Sequence, residues 1–511
     1  MRTIRYPNQV EDLVVVEFRG PGRIGFLVRP KTPGMYRILV WPRDLPDPAL
    51  VSHHLLEFPD GIGPPLHPVL DLRQHPARRV PYWTWVLMRS LGEDRWLTDL
   101  GGALSGQPLL EGGFRLVQSP SEEEIRTVAW SCHQPFATSG TDAVLGDSAL
   151  PILEWYAAAV ARFDPHVIWG QGDTGYSDGT EATDFSNQVY DQGSWHRNPV
   201  LVEWLREEFR TMYRQFWSLP GMSKVMREVS HLFIWDDHEI HDGWGSEGKD
   251  FLPGNLAMFR IASDVAQEYI LNAGPRVRKK GAEAHQAYIL GPLAAFIFDT
   301  RSCRNYEAVR DRLISAQQME DFRRFLKLAR RAAGITDLVT CTTVPFVNLR
   351  SLVEKIASSA PDLLNDTVLQ GVRDDVRDAW TSPGNLDTLR VVLAELRDFM
   401  RERSDVRIWN VSGDIHVASA FEINMPGIST PVIQVTTSAI TNRTHPWAIV
   451  RELTEISDIE FLEGVGEIHR IWPTVTDPNV LFMRTGLGGA TFTLMAFAED
   501  GSGEYELVIS R

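Results

Sequence analysis

Hydrophobic and polar positions are arranged in two ways along this chain. Through residues 1–117 the apolar runs are short, as in Leu13–Phe18, Ile24–Val28, Tyr36–Trp41 and Trp83–Met88, and Gly and Pro turns separate them. Runs bounded in this way predict a small antiparallel, β-sandwich-like domain. It carries no cluster of metal-type ligands, so its expected role is structural or protein contact. From about residue 122 the pattern becomes strand alternating with helix. Apolar runs at Ile125–Trp130, His166–Trp169, Leu232–Trp235, Leu338–Val344, Ile408–Ser412 and Val432–Thr436 predict buried strands. Between them Pro151–Phe163, Val200–Leu219, Leu256–Asn272 and Leu386–Arg403 are helical by the same criterion. Ser315 and Gln318 form a capping-box pattern that starts a further helix to about Ala333. Hairpins are expected over 287–298 and 481–509. Together these elements imply a layered α/β sandwich over residues 122–511. The polar segment 351–385 is a candidate cap over the strand ends, with a plain surface excursion as the alternative.

The most informative stretch is His231–Trp244, HLFIWDDHEIHDGW. A buried strand breaks at once into Asp236, Asp237, His238, Glu239, His241 and Asp242. Ligands in open α/β sheets bind where strands end. Packed carboxylates repel one another and resist ionising unless a cation holds them. Three other apolar strands end similarly, in Cys132 (AWSC), in Asp173 and Tyr176 (GDTGY), and in Asp414 and His416 (GDIH). In Gly-Asp-x-x-Tyr a tight turn can aim both oxygens at one ion, and a bridging Asp173 can serve two. Hard oxygen ligands with an imidazole and a thiolate suit Fe3+, Mn2+ or Ca2+ better than a structural zinc. Two ions several ångström apart form the clamp used for in-line attack on phosphorus.

Each of these residues also has a plainer reading. Cys132 alone reads as a small buried hydrophobe, and Tyr176 as a half-buried aromatic. His133, His241 and Asp242 read as neighbours that pack or hydrogen-bond. Trp195, Trp204 and Trp217 belong to the core, and Cys303 and Cys341 are structural thiols. Arg301 can serve simply as the partner of a carboxylate.

Composition narrows the classes further. The formal net charge is −16, which argues against binding a nucleic-acid backbone, though not against a small phosphorylated substrate drawn to a local metal. Three scattered cysteines make no disulfide framework, so a reducing compartment is the default. The N-terminus has no apolar signal region and no apolar run approaches spanning length. The expectation is a cytoplasmic protein with no membrane span.

The four motifs, in this order, resemble the alkaline phosphatase D (PhoD-like) branch of the metallophosphoesterases. Trp235–Glu239 (WDDHE) and Gly413–His416 (GDIH) look like the later motifs of that branch, and Ser131-Cys132, Asp299-Thr300-Arg301 and Thr437–Asn442 add to the likeness. The resemblance spans about residues 122–445. It implies a four-layer α-β-β-α sandwich, with the N-terminal all-β domain outside it. It also implies that Cys132, Asp173, Tyr176 and His416 hold a ferric ion. Asp173 would bridge to a second metal, Ca2+, shared with Asp237 and Asp414. Asp236 is the alternative to Asp237, and Mn2+ or Zn2+ are the alternatives to the metal pair. His238 would bond a substrate oxygen or the leaving group, or orient a ligand; Arg301 would steady a phosphoryl oxygen. The implied activity is phosphoric ester hydrolysis, of phosphodiesterase or alkaline phosphatase type, by a metal-bound hydroxide. The alternatives are a metal-dependent hydrolase of a non-phosphate ester and a non-enzymatic Ca2+-binding interaction protein. One departure is that the family's Asp-x-Trp-Asp-Gly-Tyr segment stands here as Asp378–Pro383, DAWTSP, so different substrate-side contacts are expected.

Overall fold

The computed structural model describes residues 6, 12–59, 63–89, 109–116, 123–139, 142–178, 183–272, 274–278, 283–304, 313–347, 378–413, 416–441, 459–498 and 503–511. Among the described residues seven strands make the N-terminal β region: β1 (Leu13–Phe18), β2 (Arg23–Arg29), β3 (Gly34–Pro42), β4 (Ser52–Phe58), β5 (Val69–Asp71), β6 (Tyr82–Arg89) and β7 (Leu110–Arg115). Strands and helices then alternate through β8 (Glu124–Trp130), β9 (Phe136–Ser139), β10 (Asp142–Leu145), α1 (Ala149–Phe163), β11 (Val167–Gln171), α2 (Pro199–Trp217), α3 (Pro220–Glu228), β12 (His231–Ile234) and α4 (Pro253–Ala266). A second series follows: β13 (Gln286–Leu290), β14 (Leu293–Ile297), α5 (Ala316–Arg331), β15 (Asp337–Thr342), α6 (Leu386–Glu402), β16 (Arg407–Ser412), β17 (Ala418–Asn424) and β18 (Val432–Thr436). The last strands are β19 (Ile459–Leu462), β20 (Gly466–Val475), β21 (Asn479–Gly486), β22 (Gly489–Phe497) and β23 (Glu504–Ser510).

Two large sheets dominate. The first runs β23-β22-β21-β8-β11-β12-β1-β2-β5 and the second β13-β14-β15-β16-β18-β17-β20-β19. In the first, β8, β11, β12 and β1 are parallel; in the second, β14, β15, β16 and β18 are parallel. Successive side chains of a strand point to opposite faces. Ala294 and Phe296 of β14 therefore join the core under α5 and α6, whereas Ala295 and Ile297 join the core shared with the first sheet. Between the sheets Trp409 stacks on Phe492 at 3.9 Å, and the Trp169 indole donates to Tyr288 Oη at 2.9 Å. Helices α1–α4 pack into the core of the first sheet. Helix, sheet, sheet, helix is the expected four-layer order.

Local chemistry explains where elements begin. Asn198 caps α2 by accepting from Val200 N–H, with Pro199 at the first helical position. The helix expected over Val200–Leu219 stops at Trp217, because Pro220 opens a separate helix, α3. Ser315 caps α5 through Gln318 N–H at 3.0 Å. Gln318 does not complete the box; its amide clasps both backbone groups of Asp299 at 2.8 Å. In the second sheet Asp337 pairs with Arg407 across the β15–β16 ladder at 2.7 Å and also takes the Trp409 N–H. A buried polar group that demands one partner fixes that register.

An N-terminal β region is present, but it does not lie outside the sandwich as a separate domain, because three of its strands join the first large sheet. A four-stranded sheet, β4-β3-β6-β7, stands apart, while β1, β2 and β5 continue the first large sheet. Alternate residues of β1 face different cores: Leu13 and Val15 the core between the two large sheets, Val14 and Val16 the core shared with Trp83, Trp85 and Phe114. Most of the candidate cap lies outside the described residues; of 351–385, only 378–385 can be placed. Among the described residues no helix is long and apolar enough to cross a membrane.

Candidate metal centre

Strand ends from both sheets converge on one point. Cys132 follows β8, Asp173 and Tyr176 follow β11, and Asp236–His238 follow β12 in the first sheet; His416 follows β16 and Ser438 follows β18 in the second. The approach is close enough to exclude side chains at two glycines. A Cβ on Gly413 would lie 2.8 Å from Ser131 Cβ and 3.0 Å from the Gln171 carbonyl oxygen. One on Gly172, whose φ is +91°, would lie 2.6 Å from Asp236 Cβ. Cys132, Asp173 and His416 themselves have φ of 55°, 52° and 62°. Left-handed backbone at non-glycine residues costs about 1–3 kcal/mol each and concentrates at functional sites. Three cases on one cluster are a stronger sign than any one.

The donors meet at coordination range. Cys132 Sγ donates to Asp173 Oδ2 at 3.5 Å, Tyr176 Oη donates to the same oxygen at 3.3 Å, and Tyr176 Oη lies 3.2 Å from His416 Nε2. Ligands around one ion with bonds of about 2.1 Å stand roughly 3 Å apart, so these spacings suit a shared ion. A second group, Asp173, Asp237 and His238, brings its ligand atoms within 4.8 Å of one another. Asp173 belongs to both groups, and its other oxygen, Oδ1, is buried without a hydrogen-bond partner. A buried carboxylate oxygen left bare is costly, and a cation would satisfy it.

Electrostatics point the same way. Burial pushes the Asp173 carboxyl well above the ordinary range; His238 pulls it down, while Asp237, Asp236 and Glu239 add to the rise. Burial and the Asp173 charge raise the Cys132 thiol as well. Without a positive ion these groups favour their neutral forms, and with one they become ligands. Asp237 differs. Burial raises it, but Arg301, His238 and the Gly243 N–H outweigh burial and bring it down to about 2.

The four ionisable residues of the DDHE motif take separate tasks. Asp237 faces the ligand group and accepts from Gly243 N–H at 2.7 Å. Asp236 turns to Arg301 and accepts from Thr343 Oγ1 at 3.0 Å. His238 stands over the Tyr176 ring at 4.2 Å, its Nδ1 2.7 Å from Asp178 Oδ1. Glu239 accepts from the N–H groups of Asp173 (3.0 Å), Thr174 (2.6 Å) and Asp236 (2.7 Å), and from Thr174 Oγ1 (2.8 Å). Glu239 thus ties the turn after β11 to the turn after β12. Repetition of acidic residues was visible in the sequence; this division of labour was not.

Arg301 meets a geometry different from the expected phosphoryl contact. It is buried, its Nε bonded to Asp236, one terminal nitrogen to the Trp244 carbonyl at 3.0 Å and the other to Asp378 Oδ2 at 2.5 Å. All three nitrogens are engaged with the protein, which is the carboxylate-partner reading. Asp414 lies outside the described residues. His133 packs as expected, bonded to Thr441 Oγ1 and the Phe216 carbonyl, and burial holds its pKa down at about 4. His241 stacks on Tyr190 at 3.8 Å and bonds Asn187. Three contributors carried no role in the sequence reading. Ser438, inside the TSAITN segment, bonds Cys132 Sγ and His416 N–H; Asp178 and Asp378 are buried and bound to His238 and Arg301.

Comparison with known proteins bears on the fold and the family. Residues 148–453 match the PhoD-like phosphatase family. No curated protein sequence matches the chain. Among solved structures, one described as the structure of PhoD superposes with a TM-score of 0.57 at 10% identity, covering 98% of this chain and 93% of that one. The purple acid phosphatase PPD1 from yellow lupin (Lupinus luteus) seeds superposes with a TM-score of 0.55 at 11% identity, covering 99% of this chain and 75% of that one. At such identities the superpositions speak for the fold alone. The matched segment covers more than half of the chain and contains Asp173, Tyr176, Asp237, His238 and His416, so the protein belongs to the PhoD-like phosphatase family.

Proposed function

We propose that the protein is a metal-dependent phosphoric ester hydrolase of phosphodiesterase or alkaline phosphatase type. The observation that carries the reading is Asp173. It is buried, held in left-handed backbone, shared by two groups of ligand-type side chains, and keeps one oxygen bare. Cys132, Tyr176, His416 and Asp173 would hold one ion, a ferric ion in this reading. Asp173 and Asp237, with Asp414 by its motif, would hold the second, Ca2+ or another divalent ion. Asp236 is left out of the ligand set because its Oδ1 is taken by Arg301 and Thr343, and because Asp237, not Asp236, groups with Asp173 and His238. Bound metals supply charge neutralisation at phosphorus and acidify water at neutral pH.

The chain's own residues do the remaining work. Glu239 and Ser438 fix the turns that carry the ligands. Asp178 holds the His238 ring by its Nδ1, which leaves Nε2 for a substrate oxygen or the leaving group. Burial opposes a charge on His238, but Asp178, Asp173 and Asp237 together hold its pKa above the ordinary histidine range.

Elemental analysis and a visible spectrum of the purified protein test the metal assignment. Iron is expected, with a tyrosinate charge-transfer band that disappears in Tyr176→Phe. Hydrolysis of bis(p-nitrophenyl) phosphate is expected to fall by at least about a hundredfold in Asp173→Asn; full activity in that variant would sink the reading. Cleavage of carboxylic esters with no turnover of any aryl phosphate would move the site to the non-phosphate alternative.

A further inference from the structure

Asp237 belongs to a buried network of three carboxylates and two guanidiniums. Arg301 contacts Asp236 through Nε and Asp378 through a terminal nitrogen at 2.5 Å, and that same nitrogen is 3.6 Å from Asp237 Oδ1. Arg304 grips the other oxygen of Asp378 at 2.5 Å. Asp378 and both arginines are almost entirely buried. The network is anchored on two sides. Arg304 lies over Gly245, where a Cβ would come within 2.5 Å of its Cδ, in the same turn whose Gly243 N–H binds Asp237. Two residues after Asp378, the Trp380 ring meets Phe298 and Phe346 edge-on at 6.0 and 5.1 Å. Phe298 follows β14 and Phe346 follows β15.

One Arg301 nitrogen thus stands between two carboxylates. In a buried site the nearer carboxylate takes the guanidinium, and the attraction of the farther one is strong enough to capture it if the first is removed. We infer that Asp378 is a positioning residue that holds the Arg301 guanidinium off Asp237 and so keeps that carboxylate open to a cation. This rests on the reading of Asp237 as a metal ligand. Without Asp378, Arg301 would close the 3.6 Å gap, pair with Asp237 and compete with the ion for it. The segment 378–385, which departs from the family's motif after Trp380, is tied to the centre through this contact.

The test is calorimetric binding of Mn2+ to the metal-stripped full-length protein. Asp378→Asn should bind about 10- to 100-fold more weakly than the parent, the size expected when the support of a ligand is lost. Adding Arg301→Gln to Asp378→Asn removes the competing charge and should recover most of the affinity. A merely structural Asp378 would make the double variant weaker still. Parental affinity in Asp378→Asn overturns the proposal, and so does a double variant as weak as the single one. If near-UV circular dichroism shows Asp378→Asn unfolded, Asp378→Ser takes its place with the same two criteria. Asp237→Asn is the separate control. Parental Mn2+ affinity there removes Asp237 from the ligand set, an outcome distinct from failure of the Asp378 proposal alone.

Discussion

Glu239 shows how one side chain can support a centre it does not enter. Three N–H groups and a hydroxyl from two strand ends converge on its carboxylate, and burial still pushes its pKa up to about 7. Glu239→Ala should destabilise the metal-free protein by about 3 kcal/mol or more, since several buried donors lose their acceptor at once. Urea unfolding of the metal-free chain measures this, and an unchanged midpoint would contradict it. Gly413→Ala should act differently, by pushing against Ser131 and the Gln171 carbonyl and so misplacing His416 relative to the other donors. Loss of bound metal with little loss of secondary structure is the expected result, read by metal content and far-UV circular dichroism. At this scale the sequence was partly legible. A strand that ends in a run of ionisable residues announces a site, because burial and packed charge are incompatible without a counter-ion. Which of Asp236 and Asp237 turns inward was not legible, since it depends on Arg301, 65 residues away.

Between elements, β1 is fastened by a small buried charge cluster. Glu17 is paired with Arg19, and its other oxygen lies 2.7 Å from His67 Nδ1; His67 Nε2 reaches the Glu268 carbonyl in the π-turn after α4 at 2.6 Å. Burial raises the Glu17 carboxyl, but Arg19 and His67 outweigh it and bring it from 4.5 down to about 2. Its contribution to stability is complete above its unfolded pKa and is lost as pH falls from about 4.5 towards 2. His67 has the opposite sign. Burial lowers it, Glu17 wins, and the net pKa is raised above 6.5, so its contribution is complete below 6.5 and is lost as pH rises through the higher folded value. His67→Gln should therefore destabilise the protein most at mildly acidic pH and least in alkaline solution, as Tm against pH would show. A cost independent of pH would mean that packing alone is lost. Single elements were largely legible: the 432–436 strand coincides with its expectation, and the α5 cap sits at Ser315 as read. The 418–424, 459–462 and 466–475 strands were not singled out, because their apolar residues are interrupted by charge on faces that are only half-buried.

For the whole molecule, the two sheets depend on each other and on the N-terminal region. β1 adds to the first sheet beside β12, with Glu17 opposite His231, and β12 leads directly into Asp236–His238. A chain truncated before residue 118 would leave β12 with an unpaired edge and a stripped apolar face. It should be recovered as aggregate, whereas the full chain elutes as a folded species in size-exclusion chromatography; a soluble truncated enzyme would refute this. The layered class was legible from the alternation of elements. The parallel pairing of β1 with a strand more than 200 residues away was not, because such pairing leaves no local turn or spacing to read. The same architecture has a kinetic consequence. Cys132 meets Ser438 across 306 residues and Tyr176 meets His416 across 240, so the chain must close long loops before these atoms come together. Contacts of that range form slowly, which places ion capture among the final events of refolding. With the proposed ferric ion supplied, the tyrosinate absorbance in stopped-flow refolding should rise only after the far-ultraviolet signal is complete, making colour a clock for the last stage of assembly.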